Sequence, residues 1–389
     1  MNLIIRLALV LWLLTLQACG GGSSDSIPQT NVNTAELNLD SNELPVSVER
    51  WASNSSYPNQ LYASVQVCEP ASNKCQTIDH VLVDTGSFGL RLFESSLNLN
   101  FPAISSGNGQ LFECAKFISG YTWGTVNTAD VVLGNIKATV PIQVVQATSR
   151  APNACPQGLP RLATATDAGA NGILGVGAFI QDCGSVCERS SSVGMYYRCL
   201  GFTCVGATVS LSTQVSNPVA LLASDNNGVV IDLSGVNGAS ANAQGRLLLG
   251  IATRSNNNLS GQQVLALDAN GYFNTTFKGR QMPNSFIDSG SNAYFFQDNS
   301  LPICSTGVFY CTGSSVALTA TLSSGSVSIV QNFTIEDPPG NSFAVLPNLA
   351  GSGNALSFAW GLPFFYGKRV FTAFEQRSAA GRNGPFVAF

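Results

Sequence analysis

Short runs of apolar residues, most of them broken by turn residues, recur along this chain. Leu61–Val67 alternates apolar and polar positions, as a strand with one buried face does. Cys68–Cys75 follows as a turn, and Gln76–Val83 returns as a second strand, so the pair predicts a hairpin. Phe117–Val126 and Ala129–Asn135 predict two further strands around a tip rich in Gly and aromatic residues. Val229–Leu233 and Gly245–Ile251 read as strands on either side of a lobe boundary, with more strands expected near 316–322 and 326–335. The aromatic stretch Trp360–Phe374 and the apolar end Pro385–Phe389 suit core strands. No strongly periodic amphipathic helix interrupts this pattern, so the expected class is all-β.

Composition narrows the chemistry. Charged residues are only 10% of the chain and the net charge is −4, with no basic patch for nucleic acid. The single histidine, His80, and the lack of any Cys-x-x-Cys pair argue against a zinc site or a Ser-His-Asp hydrolase. No metal and no cofactor are expected.

One motif occurs twice. Val81-Leu82-Val83-Asp84-Thr85-Gly86-Ser87 is matched by Ser285-Phe286-Ile287-Asp288-Ser289-Gly290-Ser291. Each reads as a buried strand that breaks at an Asp into a turn, with a Gly where a side chain would block the bend. A single copy reads as an ordinary Asx-turn. Two copies with the same flanks read differently, because each is also followed by an apolar–Gly element. The first is Asn171–Gly177, containing Ile173, Leu174 and Gly175; the second is Ala359–Phe365, containing Trp360 and Gly361. The chain therefore divides into duplicated lobes, residues 46–228 carrying Asp84 and residues 229–389 carrying Asp288.

The N-terminal stretch has a different character. Asn2–Arg6 and the apolar Leu7–Leu16 form a leader pattern, and Leu16-Gln17-Ala18-Cys19 has the form of a lipobox. Residues 1–18 are expected to be a lipoprotein signal peptide, Cys19 the lipidated residue, and residues 19–45 a polar tether. An exported chain favours disulfides, and setting Cys19 aside leaves an even number of cysteines. Cys68–Cys75 and Cys304–Cys311 can close small loops. Cys183–Cys204 and Cys187–Cys199 can nest as one cross-linked excursion, leaving Cys114 with Cys155.

Taken together, these residues resemble the pepsin-like aspartic peptidases, and in particular the bacterial pepsin-like lipoproteins. The resemblance covers nearly all of residues 46–389. It implies a bilobal double β-barrel with a cleft between the lobes, in which Asp84 and Asp288 form a catalytic pair. It implies that Thr85 and Ser289 brace the two loops, that Gly86 and Gly290 shape them, and that Ser87 and Ser291 hydrogen-bond the carboxylates and lower their pKa, favouring mildly acidic pH. The hairpin carrying Phe117, Tyr121 and Trp123 matches the flap over the cleft, with Phe117 where a tyrosine is usual. Arg91 stands where the family usually has tryptophan, and Leu362-Pro363 where Gly-Asp is usual. Gly at position 20 favours the outer membrane by similarity to enterobacterial sorting. The expected function is an aspartic endopeptidase of the cell envelope, lipid-anchored and monomeric, acting on an extended peptide or protein substrate. The alternative is a catalytically inactive binding or structural module on the same scaffold.

Overall fold

A computed structural model describes residues 40–51, 57–156, 158–305, 307–340 and 342–389. The expected leader, Cys19 and most of the tether lie outside the described residues. Leu39–Phe389 form one compact unit, whose strands lie in a sixteen-stranded and a seven-stranded sheet with one small two-stranded ribbon. The sheets are barrel-like. The alternation of the sequence is carried directly into burial: Leu61–Cys68 buries Ala63, Val65 and Val67 and exposes Ser64 and Gln66.

The first strand begins earlier than expected. Glu43–Val48 is a strand, so the tether assigned to residues 19–45 ends by Asn42. Leu44, Val46 and Val48 alternate into the core, while Glu43, buried as well, is met by Arg246 at 3.3 Å. This strand pairs on one side with Leu61–Cys68 and on the other with Ala243–Leu249, joining the two halves of the chain in one sheet.

Each half repeats one arrangement of four strands. Cys75–Asp84 runs parallel to Gly172–Val176, which lies antiparallel to Phe88–Phe93, which in turn runs parallel to Ile136–Val145. In the second half Arg280–Ile287 runs parallel to Ala359–Trp360, which lies antiparallel to Tyr294–Phe296, which runs parallel to Ala350–Ser352. Order and direction agree at every step. The crossing strand is clamped against the backbone of the Asp turn. A Cβ at Gly175 would lie 2.6 Å from the Phe88 nitrogen, and one at Gly361 would lie 2.2 Å from the Ala293 oxygen. Gly is needed at both points because two backbones touch there.

The two halves fill their interiors differently. Val81, Val83, Leu90, Leu92 and Leu174 give the first an aliphatic core. The second is aromatic: Phe358 stacks on Phe296 at 4.7 Å and on Trp360 at 4.1 Å. Trp360 is fully buried, and its indole Nε1 donates to Thr275 Oγ1 at 3.2 Å, which satisfies the one polar atom that burial would otherwise strand.

Five disulfides are present among the described residues. Cys68–Cys75, Cys114–Cys155 and Cys304–Cys311 pair as the sequence suggests. The nested pairs Cys183–Cys204 and Cys187–Cys199 do not form. Tyr196–Leu200 and Thr203–Gly206 make a hairpin in which Cys199 faces Cys204, their Cα atoms 4.1 Å apart. That register takes both partners out of the nest, and Cys183 closes on Cys187 at the start of the short helix Ser185–Arg189. The hairpin also pairs with Gly109–Phe117, so the excursion extends the sheet instead of looping away from it. Peptide mapping of the oxidised protein should recover Cys183–Cys187 and Cys199–Cys204 as separate links. A fragment joining Cys183 to Cys204 would contradict this register.

Candidate active site

The two Asp turns meet face to face and grip each other. The Thr85 N–H donates to Ser289 Oγ at 3.1 Å, and the Ser289 N–H donates to Thr85 Oγ1 at 2.9 Å. Ser289 Oγ also donates to the Val83 carbonyl at 2.7 Å, and Thr85 Oγ1 reaches the Ile287 carbonyl at 3.4 Å. Both hydroxyl residues are buried. Removing either would strand a buried backbone N–H, a cost of about 1–3 kcal/mol.

This grip places the aspartates. Gly86 N–H donates to Asp84 Oδ1 and Gly290 N–H to Asp288 Oδ1, each at 2.8 Å. Ser87 Oγ donates to Asp84 Oδ2 at 2.5 Å and Ser291 Oγ to Asp288 Oδ2 at 2.6 Å. The four bonds repeat about a pseudo-twofold axis. The opposing glycines provide the room: a Cβ on Gly86 would lie 2.7 Å from Asp288 Cγ, and one on Gly290 would lie 2.5 Å from Asp84 Oδ1. Asp84 and Asp288 are 7% and 8% exposed. A Cβ on Gly290 would also lie 3.2 Å from Asp288 Oδ1, so the two carboxyl groups face the same small space.

Electrostatics here runs against the sequence expectation. Burial is the main force on Asp84, and the negative charge of Asp288 is the next; together they push its carboxyl from 3.8 to about 8. The Ser87 and Gly86 bonds pull the other way and are outweighed. The neighbouring carboxylate disfavours a second charge, so Asp84 keeps its proton to higher pH than a free aspartate does.

Asn59, which the sequence reading did not single out, ties the halves together near this point. It is buried with φ +55°, a conformation that Asn tolerates better than most residues. Its Nδ2 donates at 2.8 Å to the carbonyls of Asn292 and Leu346, and its Oδ1 accepts from Tyr366.

The hairpin Gly109–Phe117 and Gly120–Leu133 sorts the three aromatic flap candidates. Phe117 pairs with Gly120 at its tip. Trp123 is fully buried and Tyr121 nearly so; both pack inside their own lobe with Phe112, Tyr197 and the Cys114–Cys155 disulfide. Their side chains belong to this buried cluster. Ile173 and Leu174 likewise face the interior. Among the described residues no group of three or more His, Cys, Asp or Glu side chains is arranged to hold a metal ion.

An all-β protein with a symmetric carboxyl pair at the junction of two repeats is the class this geometry defines. Residues 38–389 match the family described as protein of unknown function (DUF3443), and the chain belongs to that family. No curated protein matches it.

The carboxyl pair makes stability depend on pH. Asp84 binds its proton more tightly folded than unfolded, so the folded state holds the excess proton between its ordinary value of 3.8 and about 8. That contribution is complete at acid pH and is lost as pH rises through about 8. The unfolding midpoint should fall by several degrees over this window. Asp84→Asn should flatten the fall and raise the midpoint at the alkaline end. An unchanged slope in the variant would place the titrating group elsewhere.

Proposed function

We propose that this chain is a pepsin-like aspartic endopeptidase, a bilobal double barrel whose cleft binds an extended peptide. The observation that carries the reading is the reciprocal grip of Thr85 and Ser289, which holds Asp84 and Asp288 in a matched pair. The repeated four-strand arrangement around each aspartate supports the bilobal fold. With one proton on the pair, the ionised carboxylate takes a proton from a water molecule that attacks the scissile carbonyl. The protonated partner donates to the carbonyl oxygen as the tetrahedral intermediate forms. The C–N bond then breaks as the proton gained from water passes to the leaving nitrogen, and a hydroxyl of the intermediate returns its proton to the carboxylate that had donated, which restores the pair. The pair needs one carboxyl ionised and one protonated, so activity extends from acid towards neutral pH and falls as the shared proton is lost at about 8.

The same proposal puts the protein in the cell envelope. Five disulfides suit an oxidising compartment. The lipobox-like Leu16–Cys19 supplies a membrane anchor, with the outer membrane favoured by Gly20. One chain carries both aspartates, so a monomer suffices.

The test is cleavage of an unstructured protein by the full chain in detergent between about pH 3 and 8, with and without pepstatin. Asp84→Asn and Asp288→Asn should each lower the rate about 10²–10⁴-fold. The double variant should be little worse, because the pair acts as one unit. A folded, disulfide-bonded wild type that cuts nothing would favour a binding module on the same scaffold.

A further inference from the structure

A second cluster of buried charge lies seven residues beyond Asp84. Arg91, on the strand leaving the Asp84 turn, is 2% exposed. Its Nη2 meets Glu113 Oε1 at 2.5 Å and Asp182 Oδ2 at 2.9 Å, and its Nη1 donates to the Phe88 carbonyl at 2.7 Å. Its guanidinium also lies 5.6 Å from the ring centroid of Phe117, at the hairpin tip. Tyr196 donates to Asp182 Oδ1 at 2.6 Å and accepts from the Val215 N–H. Glu113 belongs to the hairpin strand that ends at Phe117, and Asp182 follows the crossing strand of the first Asp turn. The cluster thus links three elements: the Asp84 turn, its crossing strand and the hairpin.

A buried ion cluster is a poor way to gain stability. Desolvating three charges costs more than a well-packed apolar replacement, and here Arg91 Nε and Glu113 Oε2 have no partner among the described residues. Its value must lie in geometry. The family resemblance puts an aromatic at position 91, which would give packing without direction. A guanidinium gives directed contacts to fixed points, and a planar cation under the Phe117 ring.

We propose that Arg91, Glu113 and Asp182 are positioning residues that latch the hairpin tip relative to the Asp84 turn, through Phe117, and so govern peptide binding and not the proton chemistry of the pair. This rests on the peptidase reading.

The protonation of the latch follows from its charges. The titratable groups facing it are Arg91, Glu113, Asp182 and Tyr196. With all three charged groups ionised, the interior would hold one net negative charge. Asp182 is pushed well above the usual carboxylate range, first by burial and then by Glu113, so a proton on Asp182 relieves that excess charge. Arg91 stays charged: burial opposes its charge, and the two carboxyls more than offset that. Losing the Asp182 proton would strain the latch.

Two variants of the full chain test this, read by amide hydrogen exchange and by steady-state cleavage of a peptide. Arg91→Met should speed exchange at Phe117–Tyr121 while leaving the two Asp turns protected. It should raise KM about 10–100-fold, the scale of a lost charged contact, with kcat unchanged. Asp182→Asn, which mimics the protonated group, should keep the wild-type KM at acid pH and abolish the rise in KM that accompanies loss of the Asp182 proton. Wild-type exchange at the hairpin in Arg91→Met, or a fall in kcat at constant KM, would overturn the proposal. If Arg91→Met fails to fold, an unaltered KM–pH profile in Asp182→Asn would overturn it. If the wild type cuts no peptide, the peptidase reading fails, and the exchange experiment alone still decides the latch.

Discussion

Everything at the candidate site depends on four hydrogen bonds between Thr85 and Ser289 and the backbones they face. Each loop donates an N–H to the other's hydroxyl. Neither loop can satisfy its own buried donors alone, so the correct fold of each half requires the other. That requirement fixes the distance between Asp84 and Asp288 more tightly than packing would, since buried donors tolerate little error in length or angle. It also explains the glycines. With hydroxyl residues gripping across the axis, the next residue in each loop comes against the opposite carboxyl, and only a residue without a side chain fits there.

The perturbed charge follows from that geometry. Ser87 and Ser291 supply the hydrogen bonds that ordinarily hold a carboxyl low, but a second carboxyl in a buried place outweighs them at Asp84. The same rule operates again at Asp182, where Glu113 plays the opposing carboxyl and Arg91 supplies the compensating cation. The protein therefore carries two carboxyl pairs, one shared between the halves and one within the first half. The side chains of Glu113 and Asp182 are almost wholly buried.

Much of this was legible in the sequence, for definite reasons. Strand alternation and paired turn residues are local signals, so the all-β class, the Asp turns and the loops closed by Cys68–Cys75 and Cys304–Cys311 were visible in the residues. The apolar–Gly elements were visible because the close backbone approach at Gly175 and Gly361 excludes every other residue type. Longer-range facts were not visible. The pairing of Cys199 with Cys204 depends on hairpin register, and the inward turn of Tyr121 and Trp123 depends on which face of the hairpin meets the core. The start of strand Glu43–Val48, residues 43–45, read as tether because Glu43 and Pro45 hide its alternation, and only the partner strand Ala243–Leu249 makes it a seam. Arg91 stood out as a departure, but Glu113 and Asp182 lie too far away in sequence to be linked to it by spacing.

The central claim is that two duplicated turns create one interacting carboxyl pair. Carbon-13 NMR titration of the aspartate carboxyls in the wild type and in Asp288→Asn tests it most directly. The account predicts that Asp84 titrates near about 8 and that removing the Asp288 charge lowers that value. Titration of Asp84 near the ordinary carboxylate value, unmoved by Asp288→Asn, would contradict it.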